Sequence, residues 1–496
     1  GPGRPRRRGG AVSRGAGGEA RDARRPAPEH AHLDQQPRLA AARQGRATSA
    51  RCCRPRATSS KAADRAARRC LFASTLPRES ERAVLLLEAL RTATERPLLP
   101  VRSHSDRLPS GARGVSRDFV RGARCFFGNV GLLDKVMGDV CKEAGSETSV
   151  CALTLSTGLS LAESIVLCAE SRKEDAASLV GEAETFFSYS WTGTKLGDML
   201  GAVDRELERL EAADGRKRYV WVDMFCASQN LLAGHYFASD AEKAELKAKA
   251  PAGAHPAYLA RKEDTDNIFG DALASVKELL LYMSPLTGEW DAPPHPYLFA
   301  ERGEPPEMWT RSGPGSMTRA WCIFEMGKCL QKDCDLHVVL NDSDQAGFEG
   351  LLTDRFRDIA GIVAGVDARD AQISKTEDRD YIRKEIDSLP GGPAAVNTAV
   401  CASLQRWLAD EGRAALAKVP KEERGTSSLI NKLGSLLQDK GDLDGAEELL
   451  REALDASRET LGGRHPHTLT SINNLGSLLR AKGDLDGAEE LYREAL

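Results

Sequence analysis

The strongest constraint on this chain is a repeat near its end. Leu433-Gly434-Ser435-Leu436-Leu437, followed by Gly441-Asp442-Leu443-Asp444-Gly445-Ala446-Glu447-Glu448-Leu449, recurs 42 residues later as Leu475-Gly476 and Gly483 to Leu491. A fixed period in this range marks helix-turn-helix units, each of which buries its apolar face on the next. Gly434, Ala446 and Ala453 are the small residues that let neighbouring helices approach closely. We assign 425–496 to an all-α solenoid and expect the array to continue beyond Leu496, since three or more units normally make a stable stack.

Upstream, strand and helix patterns alternate. Phe186-Phe187-Ser188-Tyr189-Ser190-Trp191 is aromatic-rich and strand-like, and Leu196, Met199, Leu200, Val203, Leu207 and Leu210 mark an amphipathic helix stopped by Asp214-Gly215. Further strands are expected at Tyr219 to Phe225, Leu279 to Met283 and Leu336 to Leu340. Apolar strands separated by helices argue for a parallel sheet covered on both faces, with ligands beyond the carboxyl ends of its strands. The segments expected there are Ser188 to Thr194, Asp223 to Asn230, and Ser284 onward into Trp321. Asp223 reads as a site carboxylate or, equally, as a cap or turn former. Two insertions, Gln229 to about Asp271 and Thr287 to Ser316, have the length of lids or of disordered segments.

The run Thr318 to Met326 has a single carboxylate in a mostly apolar setting. On a helix Ile323, Met326 and Leu330 share one face and Trp321 and Glu325 roughly the opposite one, which therefore lines a cleft or a second packing surface. The alternative is an ordinary helix carrying a packing tryptophan and an exposed carboxylate.

Charge is distributed unevenly. Residues 1–70 hold 18 Lys and Arg against 5 Asp and Glu, so a chain of net charge -4 carries -17 in the remainder. Residues 1–115 form an Arg/Ala-rich, low-complexity stretch without sustained apolar period, expected to be disordered. A transit peptide or a nucleic-acid-binding arm are competing readings of it, and a bland tail is favoured over both. Residues 116–183 are expected to be a helical accessory segment, and 184–410 an α/β domain with a helical extension.

No window offers the roughly 18 uninterrupted apolar residues of a membrane span. The twelve cysteines lack zinc-site spacing and read as free thiols in a reducing compartment. His235 and His337 stand alone, and the chain has no Ser/His/Asp set, no metal-binding spacing and no phosphate-loop motif. Asn341-Asp342-Ser343 matches a glycosylation acceptor, a pattern common by chance.

The order Phe-Phe-Ser-Tyr-Ser-Trp, Trp-Val-Asp, a strand ending in Ser-Pro, then Arg-Ala-Trp-Cys-Ile-Phe-Glu resembles a divergent TIR (Toll/interleukin receptor) domain over about Thr185 to Asn341. The resemblance implies a flavodoxin-like parallel sheet, self-association, and NAD+ as substrate rather than cofactor. Trp321-Cys322-x-x-Glu325 is similar to the motif whose glutamate is catalytic in NAD+ hydrolysis, so Glu325 inherits that role. Ser190, Trp191 and Thr194 would fall at the ligand, with Asp223 and Trp321 beside them. One carboxylate suffices for such a reaction, because nicotinamide already leaves as a neutral molecule from a cationic bond and needs no proton. The long insertions depart from the family's pattern.

The 425–496 repeats, with His465-Pro466-His467-Thr468-Leu469 between units, are similar to the 42-residue tetratricopeptide (TPR) repeats of kinesin light chains. That implies protein or peptide clients. The combined reading is a cytoplasmic signalling or scaffolding protein, an NAD+ glycohydrolase coupled to a client-binding array or a non-enzymatic adaptor. Neither a membrane nor nucleic acid is expected as partner.

Overall fold

The computed structural model describes residues 76–92, 113–142, 148–154, 159–229, 262–287, 289–292, 295–299, 301, 303, 309–374 and 376–496. Shorter turns aside, the chain runs α1 (Arg78–Thr92), β1 (Arg113–Ser116), α2 (Arg117–Asn129), α3 (Leu161–Ser171), β2 (Val180–Glu182), β3 (Thr185–Ser188) and α4 (Leu196–Asp214). It continues through β4 (Tyr219–Trp221), α5 (Asp223–Cys226), α6 (Lys262–Ser275), β5 (Glu278–Tyr282), β6 (Glu289–Ala292), β7 (Trp309–Ser312), α7 (Ala320–Leu330) and β8 (Asp335–Val339). Then only helices follow: α8 (Asp342–Asp354), α9 (Phe356–Ala364), α10 (Arg379–Ser388), α11 (Gly392–Lys418), α12 (Ser428–Asp439), α13 (Leu443–Leu461), α14 (Pro466–Lys482) and α15 (Leu485–Ala495).

A six-stranded sheet in the order β2-β1-β4-β3-β5-β8 forms the centre. Strands β4, β3, β5 and β8 are mutually parallel, in registers such as Phe186 beside Trp221 and beside Leu279. The apolar residues of β3 and β5 are buried, as strands covered on both faces require, whereas Leu336 and Val338 of the edge strand β8 are half-buried. Strand β1 runs antiparallel to both β2 and β4. The sheet is therefore mixed, which corrects the expectation of a parallel one. Its two extra strands come from stretches read as tail and as helical accessory, and four residues such as Arg113–Ser116 hold too few apolar positions to announce a strand.

The stretch expected to be disordered up to residue 115 lies outside the described residues at 1–75 and 93–112, but differs between them. Ala83, Leu86, Leu87 and Leu90 fall at helical spacing and are fully buried, so α1 has a core-facing stripe of its own. It crosses α2 at Gly122, where an added Cβ would lie 2.4 Å from that of Ala83.

Of the first insertion, residues 230–261 lie outside the described residues, and Lys262–Ser275 is the helix α6. The second contains an antiparallel pair, β6 with β7.

The repeat motif explains its own geometry. Gly441 and Gly483 adopt left-handed backbone at φ 81° and 87°, the conformation that ends a helix at little cost only in glycine. The next residue, Asp442 or Asp484, then caps the following helix by accepting from the amide of Gly445 (3.1 Å) or Gly487 (3.0 Å). Paired helices touch at Gly434, where a Cβ would lie 2.7 Å from the Leu450 side chain, and at Gly476, where it would lie 2.7 Å from Tyr492. Ala446 and Ala453 are fully buried.

Helix α11 joins the two regions. Near its start Val396 packs on Gly327 of α7, and towards its end Gly412 packs on Leu433 of α12.

Two repeat substitutions therefore differ in severity. Gly434→Val forces a side chain onto Leu450 and is expected to cost about 2–3 kcal/mol, whereas Asp442→Ala loses one cap, about 1 kcal/mol. Urea unfolding followed by helical circular dichroism checks the order; equal midpoints for the two variants would contradict the close-contact account of the repeat.

Candidate functional site

Helix α7 begins just past the turn Gly313 to Thr318 and lays Cys322 and Glu325 against the carboxyl end of β3. The chain enters it from a backbone pairing of Arg319 with Gln372. Glu325 is only 6% exposed, and its carboxyl accepts a 2.6 Å hydrogen bond from the Ser188 hydroxyl. The Cys322 thiol donates to the Tyr189 carbonyl at 3.4 Å. Burial pushes the Glu325 carboxyl well above the usual carboxylate range; the Ser188 bond opposes this weakly and the Asp223 charge adds to it. Cys322 is pushed up by the same burial and by Glu325.

Asp223 opens α5 at the end of β4. Its carboxylate accepts from Tyr189 Oη at 2.5 Å, Trp191 Nε1 at 2.6 Å and the Met224 amide at 2.6 Å. Burial raises its pKa, and the Tyr189, Trp191 and Met224 donors oppose the rise. Its oxygens are thus engaged in holding two aromatic side chains beyond the strand ends. This is a positioning arrangement, with the capping role that the sequence left open included in it.

The other expected site residues separate. Ser190 is buried, and its hydroxyl donates to the Thr192 carbonyl at 3.2 Å, against the turn at Gly315. Thr194 is buried, and its carbonyl accepts from the Met137 amide at 3.1 Å. Trp321 faces away from Ser188: its ring lies 4.7 Å from Phe269, 5.8 Å from Phe324 and 6.0 Å from Tyr381, and its Nε1 donates to Asp378 at 3.3 Å. The structure brings Tyr189, Trp191 and Asp223 together, and Glu325 with Ser188. From sequence Ser188 is named only as the start of a segment, though a hydroxyl directly after Phe186-Phe187 at the carboxyl end of the strand is itself a signal.

Seven described cysteines form no disulfide, but Cys329 and Cys334 form one with Cα atoms 5.2 Å apart, correcting their reading as free thiols. The end of α7 turns back on itself through Asp333, at φ 55°, and the Cys334 amide reaches the Cys329 carbonyl. Among the described residues no group of three or more His, Cys, Asp and Glu is placed to hold a metal ion. No described helix is long and apolar enough to cross a membrane.

Two cavities are prominent among the described residues. One, of about 560 Å³, is bounded by Thr287, Gly313, Met317, Thr318, Arg355 and Ile362. The other, of about 270 Å³, lies between α9 and the first helices of the repeats, lined by Phe356, Asn431, Ser435, His467, Thr470 and Asn474. Neither touches Glu325. The floor of the second is ordered by Asn431, which donates to Ser471 at 2.9 Å and accepts from Asn474 at 3.1 Å.

The fold is thus a mixed-sheet α/β unit continued by helical repeats. Residues 425–496 match the tetratricopeptide repeat family, and the chain carries such repeats there. No curated protein matches the chain. No solved structure matches it.

Glu325 and Asp223 both have pKa values raised in the folded state, so each favours the fold most below its unfolded pKa, and that contribution is lost as pH rises through the folded value. Glu325→Gln keeps an acceptor for Ser188 without an ionisable group. The variant is expected to gain melting temperature over the wild type as pH increases from 5 to 9, read by differential scanning fluorimetry. A constant difference across that range would contradict a raised Glu325 pKa.

Proposed function

We propose that this chain is a protein-binding scaffold in which tetratricopeptide repeats capture a client and a TIR-like unit provides the output. The observation that carries the scaffold reading is the 425–496 repeat pair, whose amide-lined groove at Asn431 and Asn474 offers donors and acceptors to an extended polypeptide. Tetratricopeptide repeats generally mediate protein–protein interactions, and recruiting several copies to one client would raise the local concentration of the TIR-like unit, favouring its self-association. We place this activity in the cytoplasm.

The TIR-like assignment draws on strand order. The parallel strands, numbered by their own sequence, lie 2-1-3-4, the order of flavodoxin-like doubly wound sheets. The output we assign to it is hydrolysis of NAD+ by Glu325, and the specific observation favouring it is a buried carboxyl held by Ser188 at the carboxyl end of the first parallel strand. In this role Glu325 releases its proton to water as the cationic glycosidic bond enters. Its carboxylate stabilises the oxocarbenium-like charge as the C–N bond breaks and neutral nicotinamide departs, and water then adds to the anomeric carbon and gives up a proton to solvent. Trp191, held by Asp223, is the aromatic wall; Ser190 and Thr194 shape the corner beneath it, and Trp321 fixes the helix that carries the acid. Because β1 and β2 complete the sheet, the test uses the full chain.

Nicotinamide release is expected from the wild-type protein crowded on a surface and to be abolished in Glu325→Ala. Release that is equal in both would end the role given to Glu325, and release by neither would leave the adaptor reading. Separately, Thr470→Trp fills the repeat groove from an exposed position. Peptides selected from a displayed library on the full chain are expected to bind it about tenfold more weakly, a loss of about 1.4 kcal/mol. Undiminished binding would place the client site elsewhere.

A further inference from the structure

Three short backbone segments meet at the entrance to α7: Tyr297 pairs antiparallel with Gln372, and Arg319 pairs with Gln372 in parallel. The Gln372 amide donates to the Thr318 carbonyl at 2.8 Å and its carbonyl accepts from Ala320 at 2.9 Å. Directly paired residues in such a ladder project to the same side, so the Arg319 and Gln372 side chains are neighbours.

Among the described residues, Gln372 carries a buried donor without an acceptor and Arg319 makes no side-chain hydrogen bond. Gln372 is 2% exposed, and its amide nitrogen is buried without a hydrogen bond. Arg319 is half-buried at the start of α7, makes no side-chain cap, and has no carboxylate within ion-pair distance among the described residues. Burial lowers the pKa of its guanidinium, with only a weak counter-effect from Cys322. Among the described residues, Glu325 is held by Ser188 and Asp378 accepts from Trp321. A guanidinium offers five N–H groups and an amide two, and leaving such groups buried and unmatched is costly. A ligand that brings oxygen acceptors and negative charge removes that cost.

The position suits a ligand of this kind. Arg319, Cys322 and Glu325 follow one another at intervals of three along α7, and the Cys322 thiol senses the charge of both neighbours. Six residues of helix rise about 9 Å, roughly the reach of one phosphoribosyl unit. Cys322 and Glu325 face the carboxyl end of β3, where they meet Tyr189 and Ser188, and Arg319 stands at the entrance to the same helix.

We propose that Arg319 and Gln372 form an anion-binding subsite that takes a phosphate or pyrophosphate group. Naming the ligand a dinucleotide rests on the hydrolase reading, whereas the anion binding rests on these two side chains. Arg319 supplies the charge and the planar fork, and Gln372 a directed neutral donor.

The full-length chain is titrated with pyrophosphate, ADP and NAD+, with orthophosphate and sulfate as further arms, by isothermal calorimetry at fixed ionic strength. Saturable binding of pyrophosphate or ADP is expected, weakened at least tenfold in Arg319→Gln, less in Arg319→Lys and several-fold in Gln372→Leu. Without ligand, Arg319→Gln is expected to melt no lower than the wild type, since it removes an unpaired cation; a lower melting temperature would show a structural partner and overturn the proposal. Affinity unchanged in Arg319→Gln, or no saturable binding of any of these anions, would overturn it as well. Binding of NAD+ and ADP but not orthophosphate identifies a nucleotide source, and orthophosphate binding alone a free-phosphate site. Binding without nicotinamide release would end the hydrolase reading and leave the subsite standing.

Discussion

A row of aromatic rings ties the sheet to helix α7. Phe186 stacks on Trp221 across neighbouring parallel strands at 4.7 Å, Trp221 meets Phe269 of α6 edge-on at 5.1 Å, and Phe269 lies 4.7 Å from Trp321. Tyr381 of α10 and Phe324 close the far end. Each such pair contributes about 0.5–1.5 kcal/mol beyond its burial, and together they fix the rotation of α7 about its axis. With Trp321 held on that side, Glu325 and Cys322 have only the β3 side to face. The direction in which the acid points is thus a consequence of packing some distance from it.

That division of labour separates two carboxylates close to the strand ends. Asp223 is surrounded by donors and spends its oxygens on Tyr189, Trp191 and Met224. Glu325 has one hydroxyl donor, and burial together with the Asp223 charge works against its charged form. A group that stays neutral until a cation or a developing positive charge arrives is suited to respond to charge; one saturated with donors is suited to hold shape.

What was legible in the sequence follows from how local each signal is. The solenoid could be read because its turn is written in consecutive residues, a left-handed glycine followed by a capping aspartate, and repeated. The four parallel strands could be read because each carries an apolar run: Phe186-Phe187, Val220-Trp221, Leu279 to Leu281 and Val338-Val339. Strands β1 and β2 could not, since they are three or four residues long and owe their pairing to neighbours, β2 to β1 and β1 to β4, rather than to their own composition. The disulfide was hidden by a spacing that matches no metal site, yet the backbone turn at Asp333 brings Cys334 back to Cys329. Trp321 and Glu325 lie four apart on one broad face, but helical periodicity says only which residues are neighbours. It does not say that one neighbour meets a ring from α6 and the other a hydroxyl from β3.

The same packing logic extends to the repeats. Helix α11 is 27 residues long, about 40 Å at the standard rise, and touches α7 near one end and α12 near the other. Both contacts are made at glycines, Gly327 against Val396 and Gly412 against Leu433, where no flexible side chain cushions the approach. A rigid helix in close contact at both ends transmits displacement better than a linker would, because packed surfaces repack between discrete arrangements rather than deform continuously. The repeats are therefore a continuation of the helical layer that supports Glu325, and under the scaffold proposal a client seated on α12 and α14 would act on a helix already in contact with α11.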